Sequence, residues 1–170
     1  MKRISDFTDT ELSNLFNNAK DIIANNKPQK GDAIKKIDEI KQEWGIRKQL
    51  YLEGKRKIEF PEKGMLSTLG YQAGYMSFPE REYILKFIME EENLPFVQSP
   101  AYMASWGSPL SEKRLIKLSY LLKNLIHKKK KDGDYYHKEN TRLNWSVDLN
   151  YIRKKYYEDK FTFKWPAAKI

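Results

Sequence analysis

The residues that most often do chemistry are scarce in this chain. It has two histidines, His127 and His137, and no cysteine. A transition-metal site needs His, Cys or carboxylate ligands gathered at short spacing. Each histidine instead sits beside lysines, which repel a cation, and no carboxylate cluster joins the two. No metal ligand is assigned. Without cysteine there is no thiolate nucleophile and no disulfide.

Other catalytic patterns fail in the same way. No serine stands in the Gly-x-Ser-x-Gly turn that exposes a nucleophilic hydroxyl. The run from Gly70 to Gly74, GYQAG, lacks the Lys-Ser or Lys-Thr that completes a phosphate cradle. Glycines at that spacing serve a turn or a close helix approach. One kind of helical nuclease sets an Arg a turn or so ahead of a His. Here Arg114 lies far ahead of His127, and the Lys131 that precedes His137 is cut off from it by the helix-breaking Asp132-Gly133-Asp134. No catalytic residue and no cofactor is assigned, and the role is expected to be non-enzymatic.

Charge is the stronger signal. The formal net charge is +9 and it is unevenly spread. Residues 111–131 hold eight Lys/Arg against one Glu, and residues 41–57 hold six against two acids. Residues 78–92 are acidic, with five Glu against two bases. A basic patch on a mixed surface points to a polyanionic partner, most often nucleic acid. The candidate contacts are Arg47, Lys48, Lys55, Arg56 and Lys57 in one cluster. A second cluster holds Lys113, Arg114 and Lys117, followed by the run Lys128, Lys129, Lys130 and Lys131. The arginines are the better candidates for fixed contacts, because a guanidinium grips a phosphate with two bonds. Tyr135, Tyr136, Tyr156, Tyr157 and Trp165 lie near bases in the sequence and suit stacking on unpaired nucleobases. Each signal has a plainer source: lysines favour helix C-termini, and aromatics at helical spacing usually form core.

The elements that must position these residues read as helices. Thr8 and Glu11 form a capping box ahead of a helix whose stripe is Leu12, Leu15, Phe16, Ala19, Ile22 and Ile23. A second helix starts near Gly31-Asp32 with the stripe Ile34, Ile37, Ile40, Trp44 and Tyr51. The short connection between them predicts an antiparallel hairpin. Residues 54–63 are charged, contain Pro61 and lack periodicity, so they read as a linker. Gly64 to Gly74 reads as a short helix or turn, Ser77 and Glu80 cap a helix over Tyr83, Ile84, Phe87 and Ile88, and Ser99-Pro100 opens a short helix ended by Gly107. Ser108-Pro109 opens the next helix, with the core line Leu115, Leu118, Leu122 and Leu125. The last helix spans roughly 137–158, with Leu143, Val147 and Tyr151 on one stripe and Trp145, Leu149, Ile152 and Tyr156 on its neighbour. Phe161 to Trp165 alternates like a strand but has no partner, so it reads as an extended arm.

The expected fold is all-α, a bundle of about six helices. Its parts are an N-terminal helical hairpin (1–53), a linker (54–63), a C-terminal helical domain (64–158) and an extended tail (159–170). Apolar residues make up 40% of the chain and aromatics 14%, which excludes disorder over most of its length. The start, MKRISDFTDTEL, lacks the apolar run of a signal peptide, and no stretch approaches a membrane span. A cytoplasmic protein of bacterial or phage type is expected. The preferred function is nucleic-acid association through the basic helical surface. The second is an interaction subunit or inhibitor docking on a larger complex through an acidic protein partner, and the third is a helical nuclease-like enzyme.

Overall fold

A computed structural model describes residues 2–127 and 135–167, with backbone alone over 135–139. Regular structure among the described residues is entirely helical: α1 (Asp9–Ala24), α2 (Lys30–Leu52), α3 (Met65–Thr68), α4 (Phe78–Glu90), α5 (Pro100–Ala104), α6 (Glu112–His127) and α7 (Tyr135–Ile152). A 3-10 turn (Ile4–Asp6) precedes α1, and a π-helical turn (Arg153–Tyr157) continues α7. This is the all-α architecture expected from the periodicity. Among the described residues no helix is long and apolar enough to cross a membrane. The chain folds into two compact units, one of residues 2–71 with 91–104 and one of 72–90 with 105–167.

In the first unit the capping box forms as read: the Glu11 N–H donates to Thr8 Oγ1 at 3.1 Å, and the Thr8 N–H donates to Glu11 Oε2 at 2.7 Å. Lys2 adds a second hydrogen bond to the same carboxylate. Together these hold the Glu11 carboxyl at about 2, with the Lys2 bond the largest cause and the Thr8 N–H next. Helices α1 and α2 pair as a hairpin, burying Leu12, Phe16 and Ala19 with Ala33, Ile37, Ile40 and Trp44. Phe16 and Trp44 lie 5.4 Å apart, ring to ring.

The buried row of α2 differs from the expected stripe by one residue at its start. Ile34 is 44% exposed and Ala33 is buried in its place. The row Ala33, Ile37, Ile40, Trp44, Arg47 keeps a regular alternation of four and three, so an arginine occupies a core position. Residues 54–63 carry no regular element, yet they are held in this unit. The Phe60 ring packs on Tyr51 and Phe96 at 5.9 and 6.0 Å, and the Pro61 carbonyl accepts from the Gln98 N–H at 2.7 Å. Gly70 has φ +73°, and a Cβ there would stand 2.8 Å from Asn17 Oδ1, so a side chain would be strained and would displace Asn17.

In the second unit α6 starts at Glu112, one turn later than expected. Leu110 is left-handed (φ +55°) and donates its N–H to the Met89 carbonyl at 2.8 Å, which keeps Pro109 and Leu110 out of the helix. The Ser111 hydroxyl then caps, accepting from the Arg114 N–H at 3.2 Å. The core line is Leu115, Leu118, Leu122 and Ile126, while Leu125 is only half-buried. On α7, Leu149, Ile152 and the following Tyr156 are buried, Trp145 is half-buried, and Leu143 and Val147 are 51% and 43% exposed. The reason is Asp148. It is fully buried and accepts from Arg81 Nε at 2.8 Å, and this pair fixes the rotation of α7. Leu143 and Val147 are turned away from the core as a result.

Candidate nucleic-acid interface

Two of the three arginines favoured as phosphate contacts, Arg47 and Arg114, are interior residues. Arg47 is fully buried; its Nε donates to Glu43 at 2.7 Å, Nη1 to Asp9 at 2.5 Å and Nη2 to the Phe7 carbonyl at 2.6 Å. It ties α2 to the N-terminal side of α1, satisfying a carbonyl that precedes the helix. Arg114 is 2% exposed, with Nη1 donating to the Ile88 carbonyl at 3.1 Å and Nη2 to the Gly107 carbonyl at 2.7 Å. It clamps the end of α4 to the corner before α6. Both guanidiniums face protein oxygens, because a buried cation must be paired.

The three lysines of the first cluster face solvent. Lys48 lies 3.4 Å from Glu92, and Lys55, with 67% of its side chain exposed, lies 2.8 Å from Glu53. Lys57 is exposed, and Arg56 is half-buried, with its Nε lacking a partner among the described residues. Lys48, Lys55, Arg56 and Lys57 therefore surround the C-terminal end of α2, where a helix already attracts positive charge. Exposed ion pairs of this kind are weak and yield readily to a phosphate. In the second unit Lys113 is exposed at the start of α6 and Lys117 is half-buried one turn on. Lys128, Lys129, Lys130 and Lys131 lie outside the described residues, as do the side chains of Tyr135, Tyr136 and His137.

A further group comes together at the end of the second unit. Residues 153–164 hold Arg153, Lys154, Lys155, Lys160 and Lys164 against Glu158 and Asp159. The π-helical turn divides two of the four tyrosines that the sequence suggested for stacking. Tyr156 is buried and donates to Glu90 Oε1 at 2.5 Å. Tyr151 donates to Glu82 Oε1 at 3.0 Å and accepts from Lys155 Nζ at 3.0 Å. Burial first, and then the glutamate each phenol bonds, push both Tyr151 and Tyr156 well above the ordinary range, so they stay protonated. Tyr157 points the other way. Its hydroxyl donates to the Phe163 carbonyl at 2.5 Å, and its ring carries Phe163 at 4.9 Å and Trp165 at 4.8 Å. The tail is thus folded back on the π-helical turn as a ladder of rings, and Arg153, Lys154 and Lys164 of the same segment are exposed.

Beside this ladder is a cavity of about 260 Å³, lined by Ser146, Leu149, Asn150, Arg153, Trp165 and Pro166. Sequence reasoning singled out Tyr157 and Trp165 but not Arg153, Lys154 or Asn150. The alternation of Phe161, Phe163 and Trp165, next to the run Arg-Lys-Lys-Tyr-Tyr, was the signal that could have found them. Among the described residues no group of three or more His, Asp or Glu is placed to hold a metal ion. Comparison with protein-family models, with curated proteins and with solved structures found no match to this chain.

Proposed function

We propose that this is a cytoplasmic nucleic-acid-associated protein of bacterial or phage type, with a binding rather than a catalytic role. The observation that carries the reading is the ring ladder of Tyr157, Phe163 and Trp165 in a segment whose Arg153, Lys154 and Lys164 are exposed. Cations that meet phosphates, interleaved with rings that meet bases, are what a strand-binding surface combines. Lys48, Lys55, Arg56 and Lys57 supply a second basic surface in the first unit, and Lys113 another cation in the second. Arg47 and Arg114 act in this reading as internal braces.

The test is retention on mixed-sequence nucleic acid across a salt series. Each phosphate neutralised steepens the fall of log affinity with log salt by about 0.9 on duplex DNA and about 0.7 on single strands. Replacing Lys55, Arg56 and Lys57 together with Ala is expected to flatten that slope by up to about 0.9 for each phosphate no longer neutralised. No retention at low salt would sink the reading. A second reading, docking on a protein partner through an apolar patch, is favoured by exposed Leu143 and Val147, one turn apart on α7. An interaction that relies on such an apolar patch responds little to salt, and that outcome would favour it.

A further inference from the structure

We propose that the cavity between the end of α7 and the folded-back tail seats one unpaired nucleobase, so that the protein prefers single strands to duplex. This rests on the nucleic-acid reading above and narrows it. The cavity, at about 260 Å³, is smaller than the roughly 300–1,000 Å³ that drug-sized ligands occupy. That is room for one base with part of its sugar.

The walls have the right chemistry. Trp165 offers an indole, Leu149 and Pro166 are apolar and buried, and these three surfaces suit the faces of a flat ring. The polar groups stand apart from them. Asn150 is exposed and carries both a donor and an acceptor, the pair needed to meet the edge of a base. The Ser146 hydroxyl donates to the Arg142 carbonyl at 3.1 Å, which leaves its oxygen to accept. Arg153 supplies the cation for the adjoining phosphate. Its Nε lies 3.4 Å from Glu158 Oε1, with both side chains about half exposed. A pair so exposed is weak enough for a phosphate to displace.

The site is also built in advance. The π-helical turn closes with the Glu158 N–H donating to the Arg153 carbonyl at 3.1 Å, five residues back. Such turns recur at functional sites because they re-aim the side chains that follow. Here the turn sends Tyr156 inward to Glu90 and Tyr157 outward under Trp165. The Tyr157 hydroxyl pins the tail at Phe163, so Trp165 is held before any base arrives. A wall already ordered lowers the entropy lost on binding.

The experiment compares a short oligothymidylate with a mixed-sequence duplex of equal length, on the full chain, at fixed low salt. The single strand is expected to bind more tightly. Trp165→Ala should weaken single-strand binding by about 5- to 150-fold, the range for loss of one stacked base, and weaken duplex binding by less than that. Trp165→Phe should keep most of the affinity but abolish the fluorescence quenching that the oligonucleotide causes in the wild type. Arg153→Gln, an exposed change, should also weaken single-strand binding. If Trp165→Ala does not fold, Arg153→Gln and the quenching in Trp165→Phe decide. Equal binding of single strand and duplex, or full affinity with undiminished quenching in these variants, overturns the cavity proposal while nucleic-acid binding stands. Failure to bind either nucleic acid overturns both.

Discussion

Replacing Arg47 with Met separates a structural arginine from a ligand-binding one. In the wild type Arg47 makes three hydrogen bonds, to Glu43, Asp9 and the Phe7 carbonyl. Met keeps much of the volume and removes all three. The Glu43 side chain, 9% exposed, then remains as a buried carboxylate with its cation gone, while Asp9, 15% exposed, is better able to hydrate. Removing one partner of a buried ion pair destabilises by about 3–5 kcal/mol. In a chain of this size that corresponds to a fall in Tm of about 6–20 °C. Urea unfolding followed by tryptophan fluorescence and far-ultraviolet circular dichroism measures it. The double variant Glu43→Gln, Arg47→Met should recover part of the loss, because the stranded carboxylate is gone. Below the transition, folded Arg47→Met should bind nucleic acid as the wild type does. A variant within about 0.5 kcal/mol of wild type, the ordinary range for a surface change, would refute the buried network. Loss of binding at unchanged stability would return Arg47 to the contact surface.

Two further outcomes follow from the packing and the N-terminal cap. Leu122→Ala is expected to lower stability by about 2–5 kcal/mol, because Leu122 is fully buried in the α6 core line; Leu125→Ala, at a half-buried position, should lose less, and denaturant midpoints of the two variants give the order. Glu11 has its folded carboxyl lowered from an ordinary 4.5 to about 2. Its contribution is therefore complete above pH 4.5 and is lost as pH falls toward 2. A wild-type acid titration should show this loss in the helical signal, and Glu11→Gln should show a smaller dependence on pH over that interval.

Local rules made much of the architecture legible. A capping box involves residues three apart, and a helix period repeats within a few turns, so Thr8, Glu11 and the stripes of α1, α2 and α6 could be read without knowing what they pack against. The all-α class and the hairpin followed from the same short-range information. The start of α6 was not legible, because the left-handed Leu110 is held by the Met89 carbonyl, a partner more than twenty residues away. The exposed side of α7 was hidden for a similar reason. Leu143 and Val147 belong to a plausible apolar stripe, and it is turned outward where Asp148, paired with Arg81, and the neighbouring stripe of Leu149 and Ile152 are buried.

The candidate site shows the same division more sharply. Composition alone determined that the chain carries excess positive charge and aromatic residues close to it in sequence. It did not determine which cations reach solvent. Arg47 and Arg114 look like their neighbours Lys48 and Lys113 in sequence, yet their guanidiniums answer Asp9 and the Phe7 and Ile88 carbonyls, which only the folded chain brings within 3.1 Å. Nor did sequence distinguish Tyr156 from Tyr157, adjacent residues that one π-helical turn sends to opposite tasks. Residue type and periodicity are properties of the chain, so the sequence carries them. Whether a charge is buried or offered depends on partners distant in the chain, and tertiary structure decides that.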